Sequence, residues 1–366
     1  MYSKDIAKLA GVSRSTVSRV VNNYSNVEEE TRKKVNSVIK KYGYVPHGPA
    51  RALAGKVSNI IGIFIANIKL GNEKFRVYQN VYISPFEAAI IDYADKLGYN
   101  VLALIINNDS DFNKIKKLFD SKILSGGIFL GANNNSREIF DLIKSGYKIA
   151  IIDQEKNQNR TVHNYIIVNS DNFGGAYKAT RHLIDYGHTE IAHICGDMNK
   201  YSGFKRFEGY LKAMSEIKLK NKKDYITYGD FTEEGGFNCA NQLLRNKVKN
   251  RITAIFSSND TMAIGAMKAL KKMKIRIPED ISIVGYDDIR IASYVSPTLT
   301  TVRSSIMEMA SVATRNLINS IENNIDALEY FIIPAELVIR ESTIKNNIDL
   351  FIELNFRFFI TQRKKL

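Results

Sequence analysis

From Asn59 onward the chain alternates short apolar runs with amphipathic stretches, and this alternation leaves few folds open. Ile60-Ile61-Gly62-Ile63-Phe64-Ile65 is apolar almost without a break, as in a strand covered on both faces. The periodicity then predicts helices over about 84–97, 111–122 and 136–145, alternating with strands over 101–106, 127–130 and 149–152. The rhythm restarts at Tyr165-Ile166-Ile167-Val168. Helices over 172–186, 202–217, 232–246 and 260–272 follow, with strands at 190–195, 225–227, 253–257 and 281–285 between them. Strands separated by helices cannot pair as hairpins, so they form parallel sheets with helices on both faces. Two such runs imply two doubly wound subdomains.

Open parallel sheets gather ligands beyond the carboxyl ends of their strands. Asp153, Asn259 and Asp287 follow predicted strands directly, Ser202 and Arg206 open the helix after strand 190–195, and Phe231 lies near the end of strand 225–227. Two carboxylates, an amide, a hydroxyl, a guanidinium and an aromatic face suit a polyhydroxylated ring. Asp and Asn bridge adjacent hydroxyls, Arg donates a fork and Phe stacks. The competing reading is that Asp and Asn after a strand simply cap the next helix, above all at Asn259-Asp260.

The first 22 residues have a different period. Ile6, Ala7, Leu9 and Ala10 share one face of a short helix, and Val17, Val20 and Val21 one face of a second. Gly11 stands where the chain reverses and a positive φ is needed. The outward face of the second helix carries Arg14, Ser15, Ser18 and Arg19, with Ser13 placed to cap it. This is a helix-turn-helix pattern, whose second helix reads base edges in the DNA major groove; a helical hairpin that merely packs is the alternative. A third helix over 28–42 places Val35, Val38, Ile39 and Tyr42 inward and ends at Gly43. Residues 1–58 hold 11 lysines and arginines against 4 acids, half of the chain's net charge of +14, and such a basic block suits a polyanion.

Other classes find little support. Cys195 and Cys239 are isolated and read as small buried apolar residues in a reducing compartment, so the expected location is cytoplasmic. No apolar run approaches a membrane span and no secretory h-region opens the chain, so no membrane partner is expected. His47, His163, His182, His188 and His193 show no metal spacing, Phe173-Gly174-Gly175 lacks the dinucleotide fingerprint, and Gly55-Lys56-Val57 lacks the residues of a phosphate loop. No cofactor, metal or enzymatic activity is expected. A sugar-binding transport protein is a further alternative for residues 59–344.

The chain resembles the lactose-repressor (LacI/GalR) family of bacterial transcription regulators over residues 2 to about 344. The resemblance rests on Asp5-Ile6-Ala7-Lys8-Leu9-Ala10-Gly11-Val12-Ser13, Thr16-Val17-Ser18-Arg19-Val20-Val21-Asn22, Gly43-Tyr44-Val45-Pro46 and Ala50-Arg51-Ala52-Leu53. Further matches are Ser258-Asn259-Asp260, Val284-Gly285-Tyr286-Asp287-Asp288, Pro297-Thr298-Leu299-Thr300-Thr301-Val302 and Arg340-Glu341-Ser342-Thr343. It implies an all-α helix-turn-helix headpiece (1–46), a hinge (47–58) and a type I periplasmic-binding-protein-like core (59–344). The core would comprise subdomains 59–161 plus 291–328 and 162–290 plus 329–344, followed by an extension over 345–366 of unknown role. It implies a homodimer on a palindromic double-stranded operator. Arg14 and Ser15 would be variable base readers, with Ser13, Thr16, Ser18, Arg19 and Asn22 completing the DNA-facing set. Leu53, with Ala54 beside it, would be the hinge wedge that opens a central base step. Arg206 and Asp287, and with them Asp153, Ser202, Phe231 and Asn259, would contact a small effector. A sugar is the expected effector of such a carbohydrate-operon repressor, although a purine corepressor would use the same Arg and Asp. Departures from the family pattern are His47, Gly48-Pro49, Glu28 at a helix cap, Gly131 at a strand end and an insertion over 68–83.

Overall fold

The computed structural model describes residues 2–21, 24–44, 58–66, 69–70, 73–74, 81–156, 164–217, 223–245, 252–326 and 328–346. Asn22, Leu53 and Ala54 lie outside the described residues, as do all of the hinge but Ser58 and the extension beyond Asn346.

The headpiece consists of α1 (Ser3–Ala10), α2 (Arg14–Val21) and α3 (Glu29–Tyr42). Gly11 takes φ 64° at the reversal, where its N–H caps α1 on the carbonyls of Ala7 and Lys8. Ser13 Oγ accepts the Thr16 N–H at 3.0 Å, which caps α2. Ile6, Ala7, Ala10, Val17, Val20, Val35 and Tyr44 form the headpiece core. Two expected core residues are not there. Leu9 is 47% exposed, because it sits roughly 100° around the helix from the centre of the Ile6, Ala7 and Ala10 face. Tyr42 is 45% exposed, because Gly43 turns the chain and Tyr44 folds back to fill the space.

The core opens with β1 (Ile60–Ala66), then a small ribbon of β2 (Lys69–Leu70) and β3 (Glu73–Lys74). There follow α4 (Ile83–Lys96), β4 (Asn100–Ile106), α5 (Ser110–Asp120), β5 (Gly126–Leu130), α6 (Arg137–Lys144), β6 (Ile149–Ile152) and β7 (Tyr165–Ser170). The second run holds α7 (Asn172–Asp185), β8 (Ile191–Cys195), α8 (Tyr201–Glu216), β9 (Ile226–Tyr228), α9 (Glu233–Arg245), β10 (Ala254–Ser257), α10 (Asp260–Lys272) and β11 (Ser282–Val284). It closes with β12 (Thr301–Ser304), α11 (Ile306–Glu322), β13 (Glu329–Ile333) and β14 (Ala335–Val338).

One sheet has the order β13-β7-β6-β5-β1-β4 and the other β11-β10-β8-β9, and every pairing within them is parallel. Each sheet is covered on both faces. In the first, α4 and α11 cover the Ile61, Ile63 and Ile65 side of β1, while α5 and α6 cover the Phe64 side. In the second, α9 and α10 lie on one face and α7 and α8 on the other.

The subdomain boundaries differ from expectation. The strand at 165–170, expected to begin the second subdomain, pairs with β6, and β13, expected in the second, pairs with it in turn. The chain therefore crosses after Ser170, between Ser304 and Ile306, and between Ile333 and Ala335, not near 161, 291 and 329. The rhythm that restarts at Tyr165 and the family resemblance both place the strand at 165–170 in the second subdomain, but backbone pairing alone decides which sheet a buried apolar strand joins. β12 and β14 run antiparallel across the junction.

Close packing makes specific demands on small residues. A Cβ on Gly236 of α9 would lie 2.1 Å from the Met262 carbonyl oxygen of α10. Gly236→Ala is expected to push the two helices apart and destabilise the second subdomain by ~1–3 kcal/mol, read as a lowered unfolding transition in calorimetry.

Candidate ligand cavity and DNA-facing helix

On α2, Arg14, Ser15, Ser18 and Arg19 are exposed, as is Ser13, while Thr16 is half-buried. Ser13 Oγ also bonds Ser15 Oγ at 2.7 Å and Thr16 Oγ1 at 2.8 Å, so the first turn is tied together by hydroxyls. No acid stands in that turn, so its positive dipole end is not offset by a carboxylate of its own. Arg14 Nε donates to Ser3 Oγ at 2.9 Å, which holds the guanidinium beside the start of α1.

Between the two core subdomains, at the carboxyl ends of their strands, lies a cavity of about 440 Å³. Asp153, Ser202, Arg206, Phe231, Asn259 and Asp287 all line it. Arg206 is buried, and each of its three guanidinium nitrogens has a partner. Its Nε donates to Asn172 Oδ1 at 2.9 Å, Nη1 donates to the Ser258 carbonyl at 2.6 Å, and Nη2 lies 3.0 Å from Asp287 Oδ1. The guanidinium stacks 3.7 Å from the centre of the Tyr286 ring. Asp287 reaches this position through a left-handed backbone, φ 109°. Burial raises its carboxyl to about 6, although Arg206 opposes the shift.

Asp153 also has a left-handed backbone, φ 68°. Its Oδ2 accepts from Ser202 Oγ at 2.7 Å, whereas its buried Oδ1 has no hydrogen-bond partner among the described residues. Burial raises this carboxyl too. Asn259 is a helix cap, as the competing reading expected. Its Oδ1 caps α10 by accepting the Met262 N–H at 2.9 Å, and its Nδ2 donates to the Phe231 carbonyl at 3.1 Å, so it lines the cavity with an amide already engaged. Phe231, φ 68°, lays its ring against Gly196, where a Cβ would come within 2.1 Å of it.

The sequence did not single out Asn172, Tyr82 or Lys200. Asn172 opens a helix and looked like an ordinary first-turn residue. Tyr82 closes the 68–83 insertion; it lines the cavity, and its ring meets Phe86 edge to face at 5.4 Å. Lys200 had a signal, since it lies in the loop after β8, itself a strand end. Its ammonium donates to the Gly131 carbonyl at 2.6 Å and to Asn133 Oδ1 at 2.8 Å, in the other subdomain, and burial lowers its pKa. Its neighbours bridge the same junction. The Asn199 carbonyl accepts the Asn134 N–H at 2.9 Å, the Tyr201 and Tyr330 hydroxyls meet at 3.1 Å, and Ser202 reaches Asp153.

The remaining candidates are structural. His182 and His188 hold the segment at 343–344, through Thr343 Oγ1 and the Ile344 carbonyl, each at 3.0 Å. Cys195 and Cys239 are free and buried. Among the described residues no group of three His, Cys, Asp or Glu is placed to hold a metal ion, and no helix is long and apolar enough to cross a membrane.

Comparison with known proteins agrees with this geometry. Residues 4–47 match the model for bacterial regulatory proteins of the lacI family, and residues 180–343 match a periplasmic binding protein-like domain. The chain is 32% identical over 348 residues to the HTH-type transcriptional repressor PurR of Haemophilus influenzae, covering 93% of this chain and 97% of that one. It is 33% identical over 345 residues to the HTH-type transcriptional regulator DegA of Bacillus subtilis, with 93% and 97% covered. Among solved structures, the lac repressor dimer bound to operator and the anti-inducer ONPF matches with a TM-score of 0.75 at 28% identity, covering 93% of this chain and 98% of that one. The transcriptional regulator CelR–cellobiose complex matches at 0.71 and 25%, covering 93% and 99%.

The Asp287 carboxyl generates a stability prediction. It holds its proton up to about 6 when folded, against a reference value of 3.8. Between these values the folded state binds more protons than the unfolded one, so this group's contribution to stability falls as pH rises. The stability of Asp287→Asn relative to the parent is expected to improve by about 2 kcal/mol between pH 4 and pH 7, measured by urea unfolding at each pH.

Proposed function

This chain belongs to the lacI family of bacterial regulatory proteins, and we propose that it is a homodimeric repressor whose operator affinity is set by an uncharged, hydroxyl-rich ligand in the interdomain cavity. As a family member it is a DNA-binding transcriptional regulator.

The observation that carries the ligand class is the balance of charge and hydrogen bonds in the cavity. Asp153 and Asp287 are offset by Lys200 and Arg206. Of the other acids in the lining, Glu233 pairs with Lys268 at 2.6 Å, while Asp230 Oδ1 accepts from the neutral Thr232, and its negative charge disfavours an anionic ligand further. A net charge on the ligand would upset that balance in a buried site. Asp153 Oδ1 has no donor among the described residues and Asp287 Oδ1 has only its ion-pair contact with Arg206, and sugar hydroxyls would supply donors to both. Apolar walls at Ile83, Phe86 and Ile264, with the Phe231 ring, fit the carbon face of a pyranose. The CelR complex with cellobiose is a relative that holds such a ligand.

A purine is the second reading, favoured by the full-length similarity to repressors named PurR. Its N–H groups would meet the same carboxylates and its plane the same Phe231 ring.

Homodimerisation is supported by the exposed apolar edge of the first sheet. Ile105 on edge strand β4 is 48% exposed and Ile91 on the neighbouring α4 is 49% exposed. Uncovered apolar edges invite association, and a second copy would cover this one. In this reading each headpiece occupies one half-site, with Arg14 and Ser15 at base edges and Arg19 at the backbone. The ligand shifts operator affinity only as far as it prefers one arrangement of the subdomains over the other. Asn22, Leu53 and Ala54 belong to the proposal through the family pattern alone.

A thermal-shift screen of neutral hexoses, pentoses and disaccharides against hypoxanthine and guanine tests the ligand class. A neutral sugar at 100 times its Kd is expected to stabilise the protein by about 2.7 kcal/mol. Its affinity should weaken as pH falls below about 6, because a protonated Asp287 accepts fewer hydroxyl donors. A shift from nucleobases alone transfers the site to the purine reading. Arg14→Ala is expected to cost ~1–3 kcal/mol at one operator position, measured by binding to a set of single-base variants. Equal loss on scrambled DNA would remove it from base readout.

A further inference from the structure

His193 stands in the middle of an otherwise apolar buried strand, β8, and nothing in the cavity touches it. It is fully buried, and its ring lies nearly parallel to three aromatic rings: Tyr210 at 4.7 Å and 15°, Phe256 at 4.8 Å and 18°, and Phe207 at 5.9 Å and 6°. An aliphatic residue would suit an apolar strand better, so the imidazole's two nitrogens are what distinguish this position.

Each nitrogen has a defined partner. Nδ1 lies 2.9 Å from the Phe256 carbonyl, which can only accept, so Nδ1 carries the proton. Burial lowers the imidazole pKa to about 3, so the ring is neutral and Nε2 is a bare acceptor. The Ser258 hydroxyl, 3.3 Å away, therefore donates to Nε2. The carbonyl of the same Ser258 accepts from Arg206 Nη1 at 2.6 Å. From the other side, Phe207 follows Arg206 on α8 and stacks on the imidazole.

We propose that His193 is a positioning residue of the effector cavity, which fixes the Arg206 guanidinium against Asp287 by holding Ser258 on one side and Phe207 on the other. The inference rests on the reading of this cavity as the ligand site. It extends that site to a residue behind it, which sets the aim of the donor fork without meeting the ligand.

The test uses the ligand-free, full-length protein, so its outcome is independent of which compound binds. Asp287 is followed by carbonyl ¹³C NMR with labelled aspartate, and its resonance is assigned by its loss in Asp287→Asn. In His193→Phe, which keeps the stack and removes both hydrogen bonds, Arg206 should sit less firmly on Asp287. The Asp287 titration midpoint should then move above its parent value near 6, with about a threefold rise in proton affinity. Ser258→Ala removes only the hydroxyl that bonds Nε2. It should move the midpoint in the same direction, and it decides the matter alone if His193→Phe fails to fold. A residue that merely fills space would lower the melting temperature without moving that midpoint. An unchanged midpoint in folded Ser258→Ala overturns the proposal.

Discussion

The buried pair of Arg206 and Asp287 is the interaction on which the cavity depends. Neither charge is free to hydrate, and a pair this deep gains little net stability once desolvation is counted. It persists because the guanidinium has other partners. Asn172, Ser258 and the Tyr286 ring hold it from three directions, and Asp287 then meets it from the end of β11. The left-handed backbone at Asp287 is part of this arrangement. It turns the carboxylate into the cleft while the Asp287 N–H donates to the Val302 carbonyl of β12 at 2.7 Å. A ligand that bonds this carboxylate therefore pulls on a residue hydrogen-bonded to one of the strands that cross between subdomains.

The next residue extends that link. Asp288 accepts from Arg303 Nε at 2.8 Å and from an Arg340 Nη2 proton, so one carboxylate joins β12 to the segment after β14. Arg340 Nη1 also donates to the Leu299 carbonyl at 2.8 Å. Two neighbouring aspartates thus face opposite tasks, one toward the ligand cavity and one toward the crossing strands. On the other wall, Asn199, Lys200, Tyr201 and Ser202 all reach the first subdomain. The polar contacts between the subdomains thus sit at the two sides of the cleft, while each subdomain keeps apolar cores of its own.

Much of this was legible in the sequence because parallel sheets mark it twice. Continuous apolar runs such as Ile60–Ile65 report burial on both faces, and the polar residue after each run reports the ligand end. Asp153, Asn259 and Asp287 were found by that rule, and Ser202, Arg206 and Phe231 by their places near strand ends. Sheet membership was not legible, since Tyr165–Ser170 has the same apolar pattern whichever sheet it joins, and only backbone pairing assigns it. Lys200 and Tyr82 escaped for a different reason. Their side chains act across the junction between subdomains, and a local pattern carries no information about what faces a loop from another part of the chain. Leu9 and Tyr42 show the complementary limit: helical spacing names a face, but only the packing of three short helices decides where that face ends.

The headpiece has a small core of its own. Helices of 8, 8 and 14 residues with one small cluster of seven buried side chains bury little apolar surface, and short helices are marginal without tertiary support. In the proposed homodimer, two headpieces joined through their cores would act at a high effective concentration that depends on the span between them. A small ligand in the cavity then has a physically modest task. It need not unfold the headpiece or cover its DNA face. In the proposed homodimer it need only favour one subdomain arrangement over the other, and a differential affinity of about 5.5 kcal/mol between arrangements would take the population from almost wholly one to almost wholly the other. The buried carboxylates of Asp153 and Asp287 lie on opposite subdomains, so the hydroxyls of the proposed ligand, bridging them, would favour one spacing of the subdomains over another.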